Sequence, residues 1–242
     1  MTNAILKGLK KRHEKLNDRP IVLHTTGTGV LIDWSHKMGD HIVDDVYSDL
    51  DLAKLDAIPA ENLHRPVDLL FLEADTQGYT QTVLVCPPTI FGRPSGVLFD
   101  AKLANAHSIQ IPGLIRSAIA RKRVGVVGSG QAVWDHVHVE DRECSSSQVL
   151  ASTMLTRLPV ADLYMLLTQR LVHDPDSVSH GREGIYFAEN GEHTHADLAI
   201  HLGQTLYKLG AVSTAEPVRF VTAEDVQSDG MKVRASSLLC TA

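Results

Sequence analysis

Hydroxyl side chains and glycines follow directly after a short apolar segment near the N-terminus. Residues 21–24 read Ile-Val-Leu-His, and Thr25-Thr26-Gly27-Thr28-Gly29 comes next. Open α/β sheets bind ligands just beyond the carboxyl ends of their strands, so hydroxyls in this position are candidates for ligand contact. The alternative is that Thr25 and Thr28 hydrogen-bond the backbone of an ordinary turn.

Two pairs of histidines, each with one residue between its members, form a second pattern. The pairs are His136/His138 and His193/His195, and imidazoles two residues apart on a strand point to the same face. Four such nitrogens could bind a metal ion. Because the chain contains 13 histidines, pairs also arise by chance, and the sequence is interpreted as having no metal site.

A further histidine, His64, precedes a segment that Pro66 opens as a helix. Its imidazole titrates near neutral pH and could therefore move a proton. The alternative is an ordinary surface histidine in front of a helix. Both interpretations stay open at this point.

Composition excludes several classes of protein. The chain has 242 residues, 43% of them hydrophobic, and a net charge of −6, which disfavours a basic nucleic-acid-binding protein. It has no apolar run long enough to span a membrane. The three cysteines, Cys86, Cys144 and Cys240, form no CxxC pair, so neither a disulfide framework nor a cysteine zinc site is expected. A reducing, cytoplasmic setting follows as the expectation.

The hydrophobic pattern alternates helices with short strands, which is typical of an α/β sheet. A basic amphipathic helix comes first and is interpreted as a surface helix, with a transit peptide as the alternative. The acid-rich residues 33–61 are predicted to form a solvated loop with one short helix. Predicted helices cover 3–16, 66–75, 111–119, 161–172 and a segment that Thr194 and Asp197 open; predicted strands cover 21–24, 80–86, 124–127, 136–139 and 184–187.

The glycines at 125, 128 and 130 do not form a dinucleotide-binding fingerprint. That motif needs a strand, the glycine-rich turn and then a helix, whereas here the glycines lead into the strand at 136–139. A turn between two strands is predicted instead.

Four segments together resemble a known family: VLHTTGTGV, VLVCPPTIFG, VGSGQAVWDHVHVED and GIYFAENGEHT. They are similar to the atypical or extended short-chain dehydrogenase/reductase superfamily, in its NAD-dependent epimerase/dehydratase branch. The resemblance implies an incomplete doubly wound, Rossmann-like parallel sheet with a small C-terminal substrate-binding part, in a single domain over residues 1–242. It also implies NAD or NADP as the cofactor.

The resemblance assigns roles to individual residues. Thr26 falls where the family has the hydroxyl that orients a substrate oxygen beside the nicotinamide, and His64 is a second candidate for catalysis. His138 falls on a segment of the substrate-binding part. The positions that the resemblance places around the cofactor are Thr25, Gly27, Pro87, Pro88, Thr89 and Ile90, with Cys86 standing where the family has arginine.

The chain departs from the family's pattern in three places. No tyrosine is followed four residues later by lysine, whereas family enzymes use Tyr-x-x-x-Lys for proton transfer. The family's first strand and glycine-rich turn would precede residue 3, so the chain is expected to be N-terminally truncated and to bind NAD(P) weakly or not at all. Residues 142–159 interrupt an otherwise continuous segment and are predicted to be an insertion without a structural role.

The leading hypothesis is therefore an NAD(P)-dependent oxidoreductase-like or epimerase-like protein acting on a small carbonyl or alcohol substrate. The competing hypothesis is a non-catalytic fragment that keeps the fold and senses the cofactor. The expected partners are a small-molecule substrate and a second copy of the chain in a homodimer, with neither nucleic acid nor membrane.

Overall fold

A computed structural model of the chain describes residues 1–32, 39, 46–105, 107–139 and 160–220. These residues fall into two compact units. Unit 1 holds the described residues within Met1–Leu31, Val46–Pro88 and Asp141–Glu189, and unit 2 holds those within Ile32–Asp45, Thr89–Glu140 and Asn190–Ala242. The single domain expected over residues 1–242 stays a prediction.

Helices and strands are interspersed along the described residues. The α-helices are α1 (Thr2–Leu16), α2 (Leu52–Asp56), α3 (Arg65–Thr76), α4 (Val97–Asp100), α5 (Gln110–Arg121), α6 (Val160–His173) and α7 (His195–Lys208). The strands are β1 (Ile21–Thr25), β2 (Gln81–Cys86), β3 (Thr89–Phe91), β4 (Gly125–Val127), β5 (Val133–His138), β6 (Ile185–Phe187), β7 (Glu192–Thr194) and β8 (Val218–Phe220). No helix in these ranges is long and apolar enough to cross a membrane.

Unit 1 is built on a parallel sheet with the strand order β1-β2-β6. All six residues of the central strand β2 are buried, as expected for a parallel strand covered on both faces. The surrounding core consists of Leu6, Val30, Leu55, Ile58, Phe71, Ala74, Tyr79, Leu84, Cys86 and Ile185. This arrangement confirms the predicted α/β class with parallel strands.

Unit 2 contains short strands and two longer helices. Strand β3 pairs in parallel with β5, β5 pairs antiparallel with β7, and β4 pairs in parallel with β8. A second hydrophobic core lies between α5, α7 and β4 and consists of Ala118, Val124, Val126, Ala199, Leu206 and Val212.

Most of the predicted elements are confirmed within two or three residues of their ends, as α1, β1, α3 and α6 illustrate. The predicted cap of α7 is also present, because the Asp197 N–H donates to Thr194 Oγ1 at 3.0 Å. Strands β3, β7 and β8 and helix α4 were not predicted as such. The predicted insertion at 142–159 lies outside the described residues.

Candidate functional site

The three parallel strands of unit 1 end at one edge of the sheet, and this edge carries the predicted hydroxyls. Thr25 is the last residue of β1. The next residue, Thr26, donates its backbone N–H to the Val85 carbonyl of β2 at 2.8 Å, and the Ala188 N–H beyond β6 donates to the Cys86 carbonyl at 3.1 Å. Thr26 therefore lies at the carboxyl edge of the sheet, where open α/β folds bind ligands.

The Thr26 side chain donates a hydrogen bond to a buried carboxyl group. Thr26 Oγ1 lies 2.9 Å from Asp68 Oδ2, and Asp68, on α3, is only 3% exposed. The other carboxyl oxygen, Oδ1, is buried without a hydrogen-bond partner among the described residues. His24 Nε2 lies 3.9 Å from that oxygen. Thr26, Asp68 and His24 thus form one polar cluster beneath the sheet edge.

Burial raises the pKa of Asp68 to about 6, although the Thr26 hydrogen bond and the Arg65 charge both act to lower it. Removing a carboxylate from water disfavours its charged form. A carboxyl group with this pKa is present in both protonation states near neutral pH. Asp68 is therefore suited to accept and return a proton.

His24 of this cluster and the neighbouring His64 are both neutral imidazoles. The pKa of His24 is lowered by burial and by the neighbouring His64, and burial lowers the pKa of His64. His64 as a whole residue is exposed, but its ring lies against the turn after β1: a Cβ atom at Gly27 would lie 3.2 Å from His64 Nε2. His64 has a φ angle of 70°, a left-handed conformation that is uncommon outside glycine.

A tyrosine hydroxyl meets the end of β1 from a distant part of the chain. Thr25 Oγ1 and Tyr164 Oη, on α6, are hydrogen-bonded at 2.5 Å. Burial raises the pKa of Tyr164, and the bond to Thr25 opposes that rise. Tyr164 is therefore an uncharged donor or acceptor beside Thr25.

The structure brings some of the predicted site residues together. Gly27 lies next to Pro87, because a Cβ atom at Gly27 would be 3.5 Å from the Pro87 carbonyl oxygen, and that carbonyl accepts the Thr28 N–H at 3.2 Å. Pro88, half-buried, ends this segment of unit 1. Thr25, Thr26, Gly27, His64 and Pro87 therefore share one region of unit 1.

The remaining predicted residues belong to unit 2. Thr89 and Ile90 lie in β3 and pair with His136 and Val137 of β5. His138, at the end of β5, has its ring 5.0 Å from the Phe91 ring in an edge-to-face arrangement. Their predicted contacts with cofactor and substrate stay predictions.

The histidine pairs of unit 2 contact each other but do not build a larger ligand set. His136 Nδ1 and His193 Nδ1 are 3.0 Å apart. Burial, together with His136 and His195, lowers the pKa of His193 to about 4, with Asp197 opposing. Within the described ranges, no three His, Cys, Asp or Glu residues are placed to hold a metal ion.

The region around Thr25, Thr26 and Asp68 is called the unit 1 site. Sequence reasoning missed three of its members. Asp68 follows His64 by four residues, a spacing that puts both at successive turns of a helix, and this signal could have indicated it. His24 directly precedes the predicted hydroxyls. Tyr164 has no local signal, since 139 residues separate it from Thr25.

Comparisons with known proteins give distant likenesses. No protein-family profile matches the chain. A curated relative, the oxidase ucsJ of Acremonium sp, is 26% identical over 215 residues, which cover 81% of this chain and 53% of the relative. The chain thus spans about half the length of this relative.

Two of the similar solved structures are a dehydratase and an epimerase, the two activities that name the branch the sequence motifs resemble. A dTDP-glucose 4,6-dehydratase from Bacillus anthracis, in complex with NAD, is 13% identical with a TM-score of 0.44, covering 97% of this chain and 63% of that one. A UDP-glucose 4-epimerase from Thermotoga maritima, with UDP-glucose, is 10% identical with a TM-score of 0.46, covering 97% and 65%. Likenesses at these TM-scores assign no function to this chain.

Proposed function

We propose that the chain acts as an NAD(P)-dependent oxidoreductase-like or epimerase-like protein on a small carbonyl or alcohol substrate, through the unit 1 site. The observation that carries the proposal is the hydrogen bond from Thr26 Oγ1 to the buried Asp68 carboxyl group at the carboxyl edge of a parallel sheet. The motif resemblance and the name of the curated relative point in the same direction.

The residues at this edge fit the nicotinamide end of the cofactor in their chemistry. Thr25 and Thr26 supply uncharged hydroxyls, and Gly27, Pro87 and Pro88 supply backbone and apolar surface, all of which suit a flat ring bearing a carboxamide. These unit 1 residues would hold the cofactor. When bound, NAD(P) supplies or accepts the hydride.

In this proposal, Thr26 and Asp68 accept and return the proton of the substrate hydroxyl group. The Thr26 hydroxyl holds the substrate oxygen. When an alcohol loses its proton, that proton goes to Thr26 Oγ1 while the Thr26 proton passes to Asp68 Oδ2, and the reverse transfers serve carbonyl reduction. His24, which is partly exposed and faces Asp68 Oδ1, is placed to pass the proton onward, and His64 over Gly27 is the second proton carrier.

A second candidate is a non-catalytic protein that binds NAD(P) as a sensor. The absence of Tyr-x-x-x-Lys from all 242 residues favours it, because that pair supplies proton transfer in the enzymes the sequence resembles.

The test follows the absorbance of NADH or NADPH in the presence of the full chain and a panel of small aldehydes and ketones. The reverse reaction is followed with the oxidised cofactors and a panel of alcohols. We expect turnover that falls about 100-fold in Thr26→Val and in Asp68→Asn, as for loss of a positioned donor. Thr76→Val, at an exposed position of α3, is the matched control. Unchanged turnover in Thr26→Val would reject the assigned role.

The same assay separates the two candidates. Cofactor binding without turnover on any substrate supports the sensor. Calorimetry with NADH and NADPH also tests the sequence expectation of weak or absent binding: an absence of binding confirms that expectation and rejects both candidates.

A further inference from the structure

A cleft in unit 2 is lined by apolar residues of two helices. It encloses roughly 870 Å³, including the part open to solvent, and every described residue of its lining belongs to unit 2. Helix α5 contributes Ile111 and Leu114 to the lining, and α7 contributes Leu198 and Leu202. Residues three or four apart on a helix share a face, so each helix presents an apolar stripe to the cleft. Such a cleft suits the apolar body of a small molecule.

One donor in the wall of this cleft is buried without a partner. Trp134 lines the cleft, packs against Ile32 and is 6% exposed. Its indole Nε1–H has no hydrogen-bond partner among the described residues. A buried donor without an acceptor is unfavourable. A ligand that brings an acceptor oxygen to this N–H would remove that cost.

Arg121, on α5, forms part of the wall and is already engaged. Its guanidinium carbon lies 4.8 Å from the centroid of the Phe220 ring, and Nη1 donates to the Arg123 carbonyl at 3.2 Å. A Cβ atom at Gly125 would lie 2.9 Å from Arg121 Nη1 and would collide with the Phe220 ring. The glycine therefore makes room for the Phe220 stack. The guanidinium serves the packing of unit 2, and no ligand contact is assigned to it.

The other described polar side chains of the lining are uncharged near neutral pH. Burial lowers the pKa of both His193 and His195, so their imidazoles are neutral. Besides the indole, the rest carry hydroxyl or amide groups: Thr89, Gln110 and Ser117. No Asp or Glu is among the described residues of the lining. An ion that left water here would lose its hydration without gaining a partner reserved for it, so the lining favours an uncharged ligand.

We propose that the unit 2 cleft binds an uncharged apolar molecule that carries a carbonyl oxygen. The apolar body packs on the α5 and α7 stripes, and the carbonyl oxygen accepts a hydrogen bond from the Trp134 Nε1–H. The indole is a donor only, and a carbonyl oxygen meets it without bringing a further donor that would itself need a partner. This site involves unit 2 residues alone and does not depend on the function proposed for unit 1.

The test is a ligand-observed NMR titration of the full chain near pH 7.5. The probes are propiophenone, propylbenzene, 3-phenylpropanoate and 3-phenylpropylamine, which share a phenyl ring and a three-carbon chain. We expect the ketone to bind about fivefold more tightly than propylbenzene, since it adds one hydrogen bond to a buried donor. The two ions should bind no more tightly than propylbenzene. Tightest binding of either ion, equal affinity for the ketone and the hydrocarbon, or binding of none overturns the proposal.

Variants assign the effect to the named groups. Trp134→Phe keeps an aromatic ring and removes the N–H, so it should lower the affinity for propiophenone to that for propylbenzene and leave propylbenzene unchanged. Leu198→Trp should fill the cleft and abolish binding of both probes. Ile200→Trp, at a position on the same helix that is 42% exposed, is the matched control and should change neither affinity. Propiophenone binding that survives Leu198→Trp contradicts the site, even if Trp134→Phe fails to fold.

Discussion

At the scale of single residues, the burial of the Asp68 carboxyl group destabilises the folded protein when that group is charged. Its folded pKa of about 6 lies above the ordinary value of 3.8. A carboxyl group whose pKa is higher in the folded state than in the unfolded state stabilises the fold while it is protonated. This stabilisation is complete below the unfolded-state pKa and is lost as the pH rises through the folded-state pKa. Above about pH 7, the wild-type protein therefore has a buried carboxylate that the unfolded chain would solvate.

Asp68→Asn should consequently stabilise the protein in alkaline solution. The rise in the pKa of Asp68 from 3.8 to about 6 corresponds to at most roughly 3 kcal/mol, so urea denaturation near pH 8 should give a larger free energy of unfolding for the variant. The difference should vanish near pH 4. Asp176→Asn, at an exposed position, is the control and should show no such trend. A variant that is less stable than wild type near pH 8 would contradict the assigned burial cost.

His193 should show the opposite dependence on pH. Its folded pKa of about 4 lies below the ordinary 6.5, so its contribution is complete above the unfolded pKa and is lost as the pH falls toward 4. Thermal melts of His193→Asn should therefore show a smaller loss of Tm between pH 7 and pH 4.5 than wild type. His173→Asn, in the exposed last turn of α6, serves for comparison. Parallel curves for wild type and His193→Asn would refute the prediction.

At the scale of elements, the capping threonine of α7 is the clearest local determinant. Thr194 Oγ1 accepts the Asp197 N–H and donates to Asp197 Oδ2 at 2.6 Å. Thr194→Ala should lower the free energy of unfolding by about 1 kcal/mol, measured by urea denaturation. Thr194→Ser keeps the hydroxyl and should retain most of the stability. Equal losses in both variants would show that the methyl group, and not the cap, matters.

Glycine substitutions should have opposite effects in β4 and α1. Gly125→Ala places a methyl group against Phe220 and Arg121, and such overpacking costs typically 1–3 kcal/mol. Gly8, inside α1, has nothing within 4 Å of its missing Cβ, so Gly8→Ala should stabilise by about 0.5–1 kcal/mol. Guanidinium denaturation of both variants measures the contrast. A stabilising Gly125→Ala would mean that the Phe220 stack yields easily.

The elements that sequence reasoning predicted are those with a local signal. Helix α6 shows an apolar stripe over many residues, and β2 is a continuous buried run between turn residues. Strands β3, β7 and β8 have three residues each and include polar side chains, so none shows the apolar run that indicated the equally short β4 and β6. Their pairing depends on partners elsewhere in the chain, which no local window contains.

At the scale of the whole molecule, the candidate site also depends on contacts between residues that are far apart in the sequence. The sequence alone predicted Thr26 at the end of a strand, because a strand and the turn after it are adjacent in the chain. The partner of its hydroxyl, Asp68, is 42 residues away, and the bond exists because α3 packs against the core beneath β1 and β2. Tyr164 reaches Thr25 over a still longer separation. Contacts of this kind follow from packing.

The strand order β1-β2-β6 also has a consequence for folding during synthesis. Leu84 of β2 pairs with Ile185 of β6, so about 100 residues are made between the two partners. At about 5–20 residues per second on a ribosome, one side of this fully buried strand stays unpaired for on the order of 5–20 s. Pairing over such separations is slow and exposed to aggregation. A nascent chain of this protein would therefore be a natural client for chaperones that shield unpaired strands.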